Sequence, residues 1–316
     1  MAAPKTSTPP LRSDHHSMSN TGPFPWRHFL PALFVVCVWG MSFAVTRVTV
    51  QEIPPFTLAF LRFVLASLLI WPLARRHRHT VIDREDRGAL FLLGFIGVTV
   101  YFGFENFGLK YTTATHGALI VATIPLTTEA VNAFIHRRRP RITVIGGLLI
   151  ALAGVALLVG PDNGDATLLG DLLMLAAVTS WVGYTFLADR LTARYPNLLL
   201  TFRIMIVGTL TLLPGALFEA WLLPLPHPSL AAWGGVFFLG AFCSALAYHL
   251  WNQAIPALGV GLTNHLLYGI PLVGALTGVL ALGEPLTPNI LIGGTLIVGG
   301  VFMAIKKGGD QKEKAG

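Results

Sequence analysis

Charge is scarce in this chain. Asp, Glu, Lys and Arg together make up 12% of its 316 residues, about half the usual share of about 25% in a soluble domain. With 53% hydrophobic residues and a mean hydropathy of +0.66, there is too little polar sequence to cover a water-facing surface. Cysteine is nearly absent as well. Cys37 and Cys243 both fall in apolar runs, which excludes a disulfide framework and a CxxC metal site. No HExxH, GxSxG, Walker lysine motif or pair of loop carboxylates occurs, so no enzyme constellation, no metal and no cofactor is expected, and the chain alone carries no ATP-binding segment. The first residues are rich in Ser, Thr, Pro and His and lack the apolar core of a signal peptide. They read as a disordered cytoplasmic tail over 1–28.

What the chain does have is apolar runs. Ten recur, over Phe29–Val50, Phe56–Ala74, Gly88–Leu109, Thr112–Ile135, Ile142–Gly160, Leu168–Leu187, Leu198–Leu223, Leu230–Asn252, Gly259–Leu282 and Thr287–Ile305. Runs of about 20 apolar residues match a hydrocarbon core about 30 Å thick. The turns between them carry Pro, Gly, Asn and Asp, as in Pro161-Asp162-Asn163-Gly164 and Gly283-Glu284-Pro285.

The pattern occurs twice. Asn106 matches Asn252, and Pro125 matches Pro271, both at an offset of 146. Gly146-Gly147 match Gly293-Gly294 at 147. Trp39 heads a stretch leading to Arg62, and Trp181 heads one leading to Arg203. Eighteen of the 22 Lys and Arg fall in the two tails and in the loops after spans two, four and six, whereas the opposite loops hold little beyond Lys110 and the acids Glu52, Asp162, Asp165 and Glu284. By the positive-inside rule both termini are cytoplasmic. The net charge of +7 is therefore topogenic, and no nucleic-acid partner is expected. Five spans per copy is an odd number, so the second copy is inverted relative to the first. The predicted fold is an all-α integral membrane protein of ten transmembrane helices. One five-helix repeat occupies 29–160, its inverted copy 168–305, and a short cytoplasmic tail 306–316.

Trp39-Gly40-Met41-Ser42-Phe43, Leu58-Ala59-Phe60-Leu61-Arg62-Phe63, Gly170-Asp171-Leu172-Leu173, Tyr268-x-x-Pro271 and Gly283-Glu284-Pro285-Leu286-Thr287 together resemble the EamA-type transporters of the drug/metabolite transporter superfamily, over about residues 29–305. That resemblance implies export of small metabolites, often amino acids, through a central cavity formed by both repeats. Many members carry Glu just before the span-nine proline. Here that position is Ile270, so a coupling role for that Glu does not carry over.

Ionisable groups inside spans are costly and so are functional candidates by default. Glu129 stands four residues after Pro125, on a helical face with Ala118, Ala122 and Asn132. Burial there would make it a proton carrier, and a fixed pair with Arg203 is the plainer alternative. Arg47, Arg62, Glu105 and Arg203 are gating candidates, with mutual pairing or snorkelling as the structural alternative. Trp39, Tyr101, Trp181, Tyr184, Asn252, Asn264, His265, Tyr268 and His116 are candidates for the substrate cavity, which would then suit apolar or aromatic amino acids and equally lipophilic cations. Pro125 and Pro271 interrupt helices in corresponding places, as transporter sites do.

The expectation is a secondary active or facilitative exporter of small organic metabolites across a bacterial inner membrane, by alternating access. Uniport and proton exchange are both open, as are monomer and homodimer. Efflux of lipophilic cations is the alternative substrate reading. A membrane-embedded assembly or scaffold protein is the alternative from another class.

Overall fold

The structure, a computed structural model, describes residues 26–77, 79–135, 137, 142–158, 166–192, 194–223, 227–258 and 266–306. Among these residues every regular element is helical. Helix α1 covers Trp26–Glu52 and α2 Pro55–Ala74. Helix α3 covers Arg84–Tyr111 and α4 Ala114–Ile135. Helix α5 covers Ile142–Leu158, α6 Leu168–Thr192 and α7 Asn197–Leu222. Helix α8 begins at Leu230 and continues to Leu258. Helix α9 covers Gly269–Leu282 and α10 Pro288–Lys306. Seven of these are long and apolar enough to cross a membrane (α1–α4 and α6–α8), and α5, α9 and α10 are shorter apolar helices. The helices start where the sequence supplies first-turn chemistry. Pro55 opens α2, where its missing N–H costs nothing. Thr113 accepts from His116 N at the start of α4, and Ser229 accepts from Ala232 N at the start of α8. Gly283 ends α9 in the left-handed region at φ 67°, which a residue without Cβ adopts freely.

Helices α3 and α8 are each widened by one π-helical segment, Phe95–Val100 and Phe238–Leu246. A π turn loosens the regular i→i−4 ladder, and both segments receive a donor from a distant helix. Trp39 Nε1 of α1 donates to the Cys243 carbonyl at 2.9 Å, and Ser180 Oγ of α6 donates to the Ile96 carbonyl at 2.8 Å. Helix α4 is broken. It consists of Ala114–Val121 and Ile124–Ile135, joined by a turn at Ala122–Thr123. Pro125 is the second residue of the later piece. Pro271 stands third in α9, just after a turn at Leu267–Tyr268. Residues 259–265, expected to begin the ninth span, lie outside the described residues.

Close backbone contacts tie the first five helices to the last five, and they come in matched pairs. A Cβ on Gly154 of α5 would lie 2.5 Å from the Gly293 carbonyl of α10 and 3.0 Å from Ile297 N. A Cβ on Gly300 of α10 would strike the Gly147 carbonyl of α5 and lie 2.9 Å from Ala151 N. Likewise Gly94 of α3 leaves room for Val207 and the Ile204 carbonyl of α7, and Gly240 of α8 leaves room for Leu65 and the Arg62 carbonyl of α2. Small residues that let backbones approach are how membrane helices pack, since lipid offers no hydrophobic drive between them.

Candidate functional site

A narrow cavity lies where α3, α6, α7 and α8 meet. It is a tight cleft: the space between its walls comes to about 280 Å³ only when the open solvent at its mouth is included, and its interior has room for little more than water. Trp181 and Tyr184 from α6 and Tyr248 from α8 form its aromatic side, and Thr201, Ile204 and Met205 from the first turns of α7 form the other. Gly97 of α3 is required here, because a Cβ would run into the Tyr184 ring that rests on it. The aromatic surface extends beyond the cavity. Tyr101 packs on Trp181 with ring centroids 5.0 Å apart, and Trp181 packs on Tyr184 at the same spacing. Trp39 touches both Tyr248 and Trp251, at 5.7 and 5.2 Å. Aromatic walls with few polar groups are the usual lining of small-molecule sites.

Two opposite charges are buried beside this surface. Arg62 is 5% exposed and Glu105 is 6% exposed. Arg62 Nε donates to Ser244 Oγ at 2.8 Å, and its guanidinium lies 4.4 Å from the centre of the Phe102 ring. Glu105 Oε1 accepts from the Tyr101 hydroxyl at 3.1 Å. The two charges are within electrostatic reach of each other and of Tyr248. Yet no nitrogen of Arg62 comes within 4.0 Å of a Glu105 oxygen, since the ion pairs among the described residues are His116–Asp171 and Arg194–Asp86.

The two ends of the helix bundle differ. At one end, where α1, α3, α7 and α9 finish, carboxylates cross between the first five helices and the last five. Glu219 of α7 accepts from Phe56 N, Thr57 N and Thr57 Oγ1 at the start of α2, at 2.7–2.9 Å. Glu284, just after α9, accepts from Ala114 N, Thr115 N and Thr115 Oγ1 at the start of α4. Glu52 at the end of α1 accepts from Ser229 N and Ser229 Oγ at the start of α8. Each carboxylate takes up first-turn N–H groups that have no partner within their own helix, and it sits where the helix dipole favours a negative charge. Asp171 of α6 completes the set, holding Thr112 Oγ1 and His116 Nδ1. At the other end Asp86 accepts from Tyr195 and the half-exposed Arg194. The cavity lies toward that end, four residues into α7 at Thr201.

Sequence reasoning proposed the cavity residues one at a time, and their placement is as follows. Trp39, Tyr101, Trp181 and Tyr184 belong to one aromatic surface. His116 is fully buried but pairs with Asp171 near the start of α4, away from that surface. Tyr268 is part-buried and packs on Phe302 of α10. The side chain of Asn252, and Asn264 and His265 altogether, lie outside the described residues. Arg47 donates to the carbonyls of Leu109 and Lys110 at the end of α3, which is a helix-ending role. Glu129 and Arg203 are both exposed and form no ion pair with each other. The burial expected of Glu129 is therefore not met. The face that ran from Ala118 to Glu129 assumed one continuous helix, and the turn at Ala122–Thr123 breaks its phase. Ser244 and Glu219 were missed, and Tyr248, visible as one of the aromatic residues of the spans, was not among the candidates. Tyr248 sits at a repeat position with no motif around it, and Glu219 acts on backbone groups that no sequence pattern marks.

Comparison with known proteins bears on the family and the fold. The model of the EamA-like transporter family matches residues 28–160 and again 168–306. An uncharacterized transporter of Archaeoglobus fulgidus is 30% identical over 287 residues, covering 89% of this chain and 97% of its own length. A probable terminal-alkyne amino-acid exporter of Streptantibioticus cattleyicolor is 27% identical, covering 86% of this chain and 91% of its own. A solved crystal structure superimposes with a TM-score of 0.61 at 24% identity, over 88% of this chain and 98% of that one.

Proposed function

The chain belongs to the EamA-like transporter family of multi-pass membrane proteins, and we propose that it exports small organic metabolites, amino acids foremost, by alternating access between two five-helix halves. The halves are residues 29–160 and 168–305, related by a pseudo-two-fold axis in the membrane plane. Matched contacts support that relation: Gly154 on Gly293 and Ile297 is answered by Gly300 on Gly147 and Ala151, every partner displaced by 146 residues. Reciprocal contacts of this kind are what a two-fold interface generates. The arginine-poor end faces outward and the termini are cytoplasmic, in keeping with the placement of Lys and Arg.

The observation that carries the reading is the aromatic cavity between the halves, on the cytoplasmic side of an outer end that is closed by Glu52, Glu219, Glu284 and Asp171. Every one of those bonds joins an element of one half to an element of the other. If one half rocks against the other, the bonds exchange for water, and the aromatic surface becomes reachable from outside. The name of the Streptantibioticus relative favours amino acids over lipophilic cations. Glu129, exposed as it is, supports no coupling mechanism, and uniport is the simpler working scheme.

The test is counterflow in proteoliposomes loaded with a panel of amino acids and probed with one labelled species at a time. Accumulation of a subset of labels is the expected result. No accumulation of any amino acid, by protein shown to be folded and inserted, would sink the amino-acid reading and leave lipophilic cations or other metabolites.

A further inference from the structure

Arg62 and Glu105 are the two most deeply buried opposite charges near the aromatic surface, and each is only partly satisfied. Among the described residues Arg62 makes one hydrogen bond, to Ser244 Oγ, and leans on Phe102. Glu105 accepts one, from the Tyr101 hydroxyl. A guanidinium offers five donors, and a carboxylate about four acceptor sites. Removing either charge from water is expensive unless the geometry of its partner is close and complete. Two such charges at 5% and 6% exposure would be expected to meet in a contact pair. They do not, remaining more than 4.0 Å apart. Their surroundings hold them there, Arg62 by Ser244 and the Phe102 ring, Glu105 by Tyr101.

We propose that Arg62 and Glu105 receive the head group of a zwitterionic α-amino acid, whose apolar side chain lies among Trp181, Tyr184 and Tyr248 once the halves rock and the cleft there widens. The proposal rests on the transport reading above and names the substrate contacts. The guanidinium fork takes the carboxylate of the guest, where Arg is well suited to bidentate pairing. Glu105 takes its ammonium. Tyr101 connects the two parts of the site, since its hydroxyl holds Glu105 and its ring packs on Trp181. Glu105 lies one helical turn from Tyr101 along α3, about 6 Å, a distance that an amino acid spans. A lipophilic cation would satisfy Glu105 and leave Arg62 uncompensated beside a second positive charge. A carboxylic acid would do the reverse. Only a guest with both charges completes both residues without adding net charge to a buried site.

The experiment measures binding to the detergent-solubilised full chain by quenching of tryptophan fluorescence, with three probes of one shape: L-phenylalanine, phenethylamine and 3-phenylpropanoate. L-phenylalanine is expected to bind at least about thirtyfold more tightly than either singly charged probe, the effect of leaving one buried charge unpaired. Arg62→Gln should erase the advantage over phenethylamine, and Glu105→Gln the advantage over 3-phenylpropanoate. Wild-type protein that holds phenethylamine as tightly as L-phenylalanine overturns the proposal, and so does an Arg62→Gln variant that keeps the full discrimination. If neither variant folds, the wild-type comparison alone decides. Counterflow of some other solute without L-phenylalanine binding sinks the receptor and spares the transport reading. Selective binding without counterflow of any solute does the opposite.

Discussion

The two ends of the bundle solve the same problem in different ways. At the arginine-poor end, the starts of α2, α4 and α8 expose backbone N–H groups, and each start is capped by a Glu from the other half of the chain. At the arginine-rich end, Asp86 at the start of α3 meets Tyr195 and an Arg194 side chain that is 48% exposed. The capped end therefore has its stability concentrated in bonds between halves. Among the described residues the other end has no carboxylate that caps a helix start of the other half in this way, and the aromatic cleft lies nearer to it.

The contrast predicts an ordering of mutational effects, read as thermal midpoints in detergent. Glu219→Ala should cost most, about 2–4 kcal/mol, because it leaves Phe56 N and Thr57 N without acceptors at a buried position. A loss no larger than that of an exposed acid would break the idea that the capped end holds the halves together. Gly154→Ala and Gly300→Ala should come next, each costing about 1–3 kcal/mol from forced contact with the facing backbone. Their costs should agree closely, since their contacts are mirror copies, and a large difference would undo the matched-halves account. Arg194→Ala should cost least, about 1 kcal/mol, because the arginine is half exposed and the fully buried Asp86 keeps the Tyr195 hydroxyl as a donor.

The helices themselves were legible in the sequence, because membrane spans are long apolar runs. The break in α4 falls at Ala122–Thr123, two residues before Pro125, while the stretch before Pro271 lies partly outside the described residues. The π segments were not legible. Phe95–Val100 and Phe238–Leu246 are ordinary apolar sequence, and their widened turns are held by Trp39 and Ser180 from other helices. Glu52 and Glu284 were visible as acids in short loops, and Glu284 belonged to a recognised motif. Their work was not visible, since Glu284 caps a helix start 170 residues away. Arg62 and Glu105 were singled out because charge is rare in spans. That they stand apart beside an aromatic surface is a fact of tertiary packing that no spacing encodes.

The claim that these carboxylates form a closure that must open during transport is most directly tested by fastening it shut. Glu52 and Ser229 are hydrogen-bonded across the halves, so Glu52→Cys and Ser229→Cys can be joined by a short bifunctional thiol reagent, in a chain whose Cys37 and Cys243 are changed to Ser. Counterflow in proteoliposomes would be measured before and after joining, with each single-cysteine chain as control. The account predicts that joining abolishes counterflow while either single cysteine leaves it intact under the same reagent. Undiminished counterflow through the joined protein would contradict it.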